Sequence, residues 1–227
     1  MRIAVAQPTV VAYDVAANAL THASMIRAAG ARLVVFPELS LTGYQLDAPA
    51  VSCDDPRLAP IRQACADTGA AALAGAPVAE AGGRSYIATL LVDGAGVTVA
   101  YRKIHLHPPE DERFSPGPGH VVLELDGLRL GLAVCRDASI AGHAAATVRA
   151  GAEVYVASTL NSAEDPRDER MHARATAHGI HVVLACGAGS DGPIFGSGGS
   201  GFWAPDGSVI AQAGADPGDL VVADIPR

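Results

Sequence analysis

The residue whose type and position most clearly suggest chemistry is Cys135. It directly follows the apolar run Gly131–Val134 and precedes the charged pair Arg136 and Asp137. A thiol that is partly exposed at the end of a strand and close to charged groups can act as a nucleophile. The alternative is a buried structural cysteine, which is the commoner role for a single cysteine. The pattern at this position alone leaves both roles open.

Two charged residues occupy comparable positions after other apolar runs. Glu38 follows the run Leu33–Pro37, and apolar surroundings raise the pKa of a carboxyl group toward that of a useful general base. Lys103 follows the segment Val97–Tyr101, and a lysine near a carbonyl group can stabilise an oxyanion and favour a thiolate. Simpler interpretations remain, since Glu38 could cap a turn and Lys103 could lie on a solvated sheet edge.

Two other patterns do not have the context that their chemistry needs. The segment Gly196–Gly201 formally reads G-x-G-x-x-G, but a strand and a turn follow it instead of the helix that binds a pyrophosphate. His105, His107 and Glu110 could in principle hold a metal, but two prolines separate them and no second cluster has suitable spacing. We therefore expect neither a metal nor an organic cofactor.

The elements that must position the candidate residues alternate between strands and helices. Apolar periodicity and glycine stops predict helices over Asp14–Ala29, Pro56–Thr68, Ala141–Ala150 and Asp165–His178. Strands are predicted at Arg2–Gln7, Leu33–Phe36, Ala71–Val78, Ser85–Val92, Val97–Tyr101, Val121–Leu125, Leu128–Val134, Val154–Ala157, His181–Ala185, Phe202–Ala204, Val209–Gln212 and Leu220–Ala223. This mixture of hairpins and helices favours helices that cover sheets over a purely parallel Rossmann arrangement.

Length and composition limit the remaining classes of function. The 227 residues fit one domain spanning 1–227, and only 4% are aromatic, so small aliphatic residues must form the core. Sixteen basic and 24 acidic residues give a net charge of −8, which argues against a nucleic-acid partner. No window of 18 apolar residues exists, and the four cysteines have irregular spacing. We expect a soluble cytoplasmic protein without a membrane partner.

Together, the three candidate segments resemble motifs of the nitrilase superfamily of carbon–nitrogen hydrolases. Members carry F-P-E-x-x-x-x-G-Y, Y-R-K-x-H-L and G-x-x-x-C-x-D, which match residues 36–44, 101–106 and 131–137 of this chain. Residues 3–7 and 199–207 also fit, so the resemblance spans nearly the whole chain in the right order. It implies an α/β fold of the four-layer αββα sandwich type.

The resemblance also implies roles for individual residues. Glu38 would accept the thiol proton, and Cys135 would attack an amide or nitrile carbon to form a thioester. Lys103 and the backbone N–H of Arg136 would stabilise the oxyanion. A second glutamate is expected upstream of the turn at residues 114–117; we align Glu110 with it, and Glu112 is the neighbouring alternative.

Substrate contacts are implied for Tyr44, Arg136 and Asp137. The implied substrate is a small linear amide or an N-carbamoyl compound. A nitrile substrate, a catalytically silent metabolite-binding relative and a redox-sensing cysteine protein are alternatives. The resemblance further implies a homodimer or higher homo-oligomer, with the helices after Ala141 and Asp165 as contact surfaces.

This chain differs from the family pattern around the expected pocket and interface. Residues 139–142 replace the usual R-F-P-E, the 174–178 helix motif has no glutamate, and Cys186 stands where an asparagine is usual. Substrate identity and assembly therefore remain open at this point.

Overall fold

The computed structural model describes residues 1–190 and 195–226, which form two six-stranded sheets packed face to face between helices. The strands are β1 (Arg2–Ala6), β2 (Leu33–Val35), β3 (Ala71–Ala79), β4 (Ser85–Val92), β5 (Val97–Arg102), β6 (Val122–Leu125), β7 (Leu128–Val134), β8 (Val154–Thr159), β9 (His181–Cys186), β10 (Ala188–Ser190), β11 (Phe195–Ser197), β12 (Gly201–Trp203), β13 (Val209–Gln212) and β14 (Leu220–Asp224). The helices are α1 (Val15–Ala29), α2 (Ala59–Thr68), α3 (Arg136–Ser139), α4 (Ala141–Arg149) and α5 (Arg167–His178), with 3₁₀ turns at Pro56–Leu58 and Glu110–Glu112.

Both large sheets are mixed, with parallel strands at their centres. The first has the order β14-β1-β2-β3-β4-β5, in which β1, β2 and β3 are parallel. The second has the order β13-β12-β9-β8-β7-β6, in which β7, β8 and β9 are parallel. Because α/β sheets gather their functional groups beyond the carboxyl ends of parallel strands, the residues after β2, β7 and β8 are the first to inspect.

Side-chain alternation along β1 shows how the layers form. Ile3 and Val5 pack in the core between the two sheets, whereas Ala4 and Ala6 face α1 and α2. The second sheet has a separate core against its own helices, which includes Met171 of α5. Alanine on the helix-facing sides lets the helices approach closely, which explains the alanine-rich, aromatic-poor composition. The predicted αββα sandwich is confirmed.

Differences between the predicted and observed elements are local. Asp14 lies just outside α1 and caps it by accepting a hydrogen bond from the N–H of Ala17, and Gly30 ends the helix with a φ of 55°. The last long helix begins at Arg167 instead of Asp165. The short helix α3 and the β10–β11 hairpin were not predicted. No helix in the described part of the chain is long and apolar enough to cross a bilayer.

Candidate active site

Cys135 lies at the sharp turn between β7 and α3. Its backbone has φ 47° and ψ −102°, a region that a non-glycine residue seldom occupies. Its N–H donates to the carbonyl oxygen of Ser158 on the neighbouring strand β8 at 2.9 Å. The turn leaves the Cys135 side chain partly exposed, and the backbone N–H of Arg136 follows directly.

Glu38 is positioned by a close crossing over β3. The N–H of Phe36 still donates to Leu73 on β3 at 2.9 Å, and the chain then turns across Gly75. A Cβ atom at Gly75 would lie 2.3 Å from the backbone nitrogen of Leu39 and 2.8 Å from the carbonyl carbon of Glu38. Only glycine therefore leaves room for this path, and the Glu38 side chain is buried as a result.

Lys103 lies directly after β5 and joins two carboxylates. Its backbone N–H donates to Ile87 at 2.8 Å, and its carbonyl accepts from Gly117 at 2.8 Å, which fixes the segment at the sheet edge. Its Nζ donates to Oε1 of Glu38 and to Oε1 of Glu110, each at 2.7 Å. All three side chains are fully buried, so this is a water-excluded glutamate–lysine–glutamate network.

The structure brings Glu110, and not Glu112, into this network. Besides the lysine, the Glu110 carboxylate accepts hydrogen bonds from the Tyr44 hydroxyl at 2.7 Å and from the backbone N–H of His107 at 2.8 Å. Glu112 lies on the same 3₁₀ turn but is exposed. Glu110 is thus held by three donors that fix its orientation beside the cavity.

The charges of the network favour a neutral thiol at rest. Burial raises the pKa of Cys135, and the neighbouring Glu38 charge raises it further, although Lys103 opposes both effects. Burial alone would lower the pKa of Lys103, but the charges of the Glu38 and Glu110 carboxylates raise it above its ordinary value. Two carboxylates and one ammonium already leave one negative charge, so a thiolate would add a second in a buried site.

Glu38 has the properties of a proton acceptor. Burial raises its pKa, while the charge of the neighbouring Lys103 acts in the opposite direction. Its Oε2 atom is buried and has no conventional hydrogen-bond partner within residues 1–190 and 195–226. An acceptor oxygen left free beside a neutral thiol is arranged to receive its proton.

Asp137 lies elsewhere than the sequence led us to expect. Its carboxylate is fully buried and does not line the cavity. It accepts from the backbone N–H of Val134 at 3.1 Å, the backbone N–H of His105 at 2.8 Å and the Tyr101 hydroxyl at 2.8 Å. These bonds tie the turn that carries Cys135 to the segment after Lys103. Asp137 therefore fixes the relative positions of two candidate catalytic segments.

A cavity of about 510 Å³ opens above Cys135. It is lined by Tyr44, His107, Glu110, Cys135, Arg136, Ser139, Ile140, Leu160, Asn161, Ser162 and Asp165. A second cavity of about 510 Å³ adjoins it across Tyr44 and His107 and is bordered by Leu46, Pro108 and Pro109. Of the buried network, Glu110 lines the first cavity directly, next to Cys135 in the same wall.

Sequence reasoning missed the lining residues that follow β8. The Sγ atom of Cys135 lies 4.0 Å from the carbonyl oxygen of Leu160, and Asn161 is next along the same loop. Because β8 pairs in parallel with β7, the residues after both strands meet at one sheet edge. Applied to the strands predicted at Leu128–Val134 and Val154–Ala157, that rule could have pointed to the residues just after the second of them.

Both patterns set aside earlier lie within the part of the chain that the structure describes. The segment from Gly196 to Gly201 forms part of β11, a connection and the start of β12, and no helix follows it. Within residues 1–190 and 195–226, no group of three or more histidine, cysteine or acidic side chains could hold a metal ion.

Comparison with known proteins gives a consistent result over the whole chain. A sequence model of the carbon–nitrogen hydrolase family matches residues 2–227. A protein of Pseudomonas protegens described as a hydrolase in the pqqF 5′ region is 35% identical over 241 aligned residues, covering 100% of this chain and 83% of the relative. An (R)-stereoselective amidase of a Pseudomonas species is 34% identical over 195 residues, covering 81% of this chain and 69% of that enzyme.

Solved structures of an amidase from Nesterenkonia sp. AN1 have the same fold. One, a glutamate-to-glutamine mutant, matches with a TM-score of 0.90 and 29% identity over 100% of this chain and 93% of that chain. It shows the result of Michael addition of acrylamide at the active-site cysteine. A cysteine-to-alanine mutant in complex with butyramide matches with a TM-score of 0.90 and 29% identity, covering 100% of this chain and 91% of that chain.

Proposed function

Because the chain belongs to the carbon–nitrogen hydrolase family, or nitrilase superfamily, we propose that it hydrolyses a small linear amide or N-carbamoyl compound and releases ammonia. It is an amidase-like carbon–nitrogen hydrolase. The observation that carries the finer proposal is the free Oε2 of Glu38, buried within the lysine-bridged network beside the Cys135 thiol.

In the first half of the reaction, the sulfur of Cys135 attacks the carbonyl carbon of the substrate. The thiol proton passes to Glu38, and the C–S bond forms as the carbonyl oxygen becomes an oxyanion. Lys103 and the backbone N–H of Arg136 stabilise that oxyanion. Glu38 then returns the proton to the departing nitrogen, so the C–N bond breaks, ammonia leaves and a thioester remains on Cys135.

In the second half, water replaces ammonia. Glu38 takes a proton from the water as it attacks the thioester carbon, and the same donors stabilise the second oxyanion. Collapse of this intermediate breaks the C–S bond, releases the carboxylic acid and returns a proton to the Cys135 sulfur. Each cycle consumes one water and regenerates both the neutral thiol and the Glu38 carboxylate.

Lys103 serves two purposes in this scheme. At rest it neutralises one of the two buried carboxylates that it contacts, which keeps Glu38 ionised despite its burial. In the transition state it provides positive charge where negative charge develops. Glu110 accepts from this ammonium on the cavity side and is itself fixed by the Tyr44 hydroxyl. Tyr44 also forms part of the wall against which the substrate packs.

The dimensions of the site support a small substrate. A cavity of about 510 Å³ is at the lower end of the range for small-molecule sites. The structurally similar Nesterenkonia amidase has been captured with acrylamide and with butyramide. We also propose a homodimer or higher homo-oligomer with α4 and α5 at the contact, which size-exclusion chromatography with light scattering would test.

Ammonia release from short amides tests the proposed function. The purified protein should release ammonia and the carboxylic acid from butyramide, and Cys135→Ala should reduce the rate at least 10³-fold. Cys53→Ser is the matched control, because that cysteine is exposed and distant in sequence, and it should retain full activity. Butyronitrile tests the alternative nitrilase activity, because conversion of a nitrile to the same acid consumes two waters, whereas conversion of the amide consumes one. Amide turnover that persists in Cys135→Ala would contradict the proposal.

A further inference from the structure

The Arg136 side chain is an uncommitted charge in the wall of the cavity. It is half-buried and lines the cavity immediately beside Cys135. Its guanidinium makes no hydrogen bond or ion pair with any residue in 1–190 or 195–226. The neighbouring carboxylate of Asp137 cannot serve as its partner, because backbone and tyrosine donors already occupy that carboxylate away from the cavity.

The other ionised groups of the cavity wall already have partners. Glu110 is bound by Lys103 and Tyr44. Asp165 forms an ion pair with Arg170. The hydrogen-bond acceptors of these two carboxylates are therefore engaged by neighbouring side chains, whereas the Arg136 guanidinium still offers its donors to a bound molecule.

The surroundings of Arg136 add further positive charge. Arg170, besides pairing with Asp165, donates to the hydroxyl of Ser139 on the cavity wall. Arg174 donates to the carbonyl oxygens of Ala138 and Ser139 at 3.3 Å and 3.1 Å. Arg136 belongs to α3, and Arg170 and Arg174 contact the last residues of that helix. Because Asp165 offsets the charge of Arg170, Arg136 and Arg174 supply the remaining positive charge beside the cavity, which favours an anion there.

We propose that Arg136 forms a carboxylate-binding subsite, so that the preferred substrates are amides whose acyl chain ends in a carboxylate. This inference rests on the proposed hydrolysis at the same site. A guanidinium binds a carboxylate through two parallel hydrogen bonds, which fixes direction as well as position. Arg136 and Cys135 line the same cavity of about 510 Å³, so a carboxylate held by Arg136 shares that cavity with the carbon that Cys135 attacks. The half-amide of a short dicarboxylic acid has this shape.

Succinamate and butyramide form a matched pair of probes. They differ mainly in having a terminal carboxylate or a terminal methyl group on the same short chain. Calorimetric titration of both amides into Cys135→Ala measures binding without turnover. We expect succinamate to bind on the order of 10-fold tighter or more, because the carboxylate gains charge-assisted hydrogen bonds.

Two further variants, made in the Cys135→Ala background, locate the effect. Arg136→Gln keeps the backbone N–H but removes the charge, and it should abolish the preference for succinamate. Arg149→Gln removes one positive charge from the exposed end of α4, and it should leave the preference intact. A preference that survives Arg136→Gln, or equal binding of both amides to Cys135→Ala, would overturn the subsite.

Turnover by the wild-type protein distinguishes the two proposals. If succinamate binds selectively through Arg136 but neither amide is hydrolysed, the subsite is supported and the proposed function fails. If butyramide is hydrolysed, and succinamate exceeds it neither in affinity nor in kcat/KM, the proposed function is supported and the carboxylate subsite fails.

Discussion

Replacement of Gly75 by alanine tests whether the path of the Glu38 loop determines catalysis. The added Cβ would lie 2.3 Å from the backbone nitrogen of Leu39 and 2.5 Å from the carbonyl oxygen of Pro37. Ordinary contact begins at 3.4 Å, so the nearest atom must move by about 1.1 Å, the difference between 3.4 and 2.3 Å. Both atoms belong to the backbone segment that carries Glu38, and no flexible side chain can absorb the shift.

A displacement of about 1 Å in a positioned catalytic group lowers rates on the order of 10²-fold. We therefore expect Gly75→Ala to lower kcat/KM for butyramide by about that factor. Overpacking should also lower the free energy of unfolding by roughly 1–3 kcal/mol. The assays are ammonia release and chemical unfolding, with acrylamide addition at Cys135 as a measure of thiol reactivity that does not require turnover.

Gly96→Ala provides the control for this prediction. Gly96 lies between β4 and β5 of the same sheet, and a Cβ there would meet nothing within 4 Å. It should retain both activity and stability. If Gly75→Ala folds and retains wild-type kcat/KM, the close crossing does not set the position of Glu38, and the reasoning is refuted.

Three other substitutions test the network and its supports. Lys103→Met should lower the free energy of unfolding by about 3–5 kcal/mol, because it leaves two buried carboxylates without their cation. Urea unfolding measures this, and an unchanged unfolding midpoint would contradict it. Asp137→Asn should lower kcat for butyramide more than it raises KM, because the Asp137 side chain positions the Cys135 turn without lining the cavity. A change in KM alone would indicate that Asp137 contacts the substrate. Burial lowers the pKa of His143 to about 4, so the folded state binds fewer protons than the unfolded state between pH 6.5 and 4. Stability should therefore fall by about 2 kcal/mol between pH 7.5 and 5 through this group, and His143→Asn should flatten that part of the urea-unfolding profile.

The sequence predicted the core of the candidate site because each residue directly follows an apolar strand. Glu38, Lys103 and Cys135 are separated by up to 97 positions, the difference between 135 and 38, yet each comes shortly after a strand, where polar sequence begins. The family motifs, which occur in this chain in the family's order, are what grouped the three residues. The observed 2.7 Å contact between Lys103 and Glu38 agrees with that grouping.

What the sequence did not predict depends on contacts between distant segments. Asp137 sits next to the nucleophile in a shared motif, which suggested a substrate contact, but donors from its own turn and from residues 101–105 hold its carboxylate in the interior. The need for glycine at position 75 arises only because another loop crosses it. That the Arg136 guanidinium has no partner among residues 1–190 and 195–226 likewise becomes apparent only from the contacts of the neighbouring charged groups.

The most direct test of the central claim is the rate of acrylamide addition to Cys135 as a function of pH, in the wild type and in Glu38→Gln. Peptide mass spectrometry would follow each cysteine separately, with the exposed Cys53 as an internal standard. Glu38 should make Cys135 react faster than Cys53 at neutral pH, although burial raises the pKa of its thiol. Glu38→Gln should remove that advantage, by on the order of 10²-fold or more. Equal rates at Cys135 and Cys53, or a rate at Cys135 that does not change in Glu38→Gln, would contradict the account.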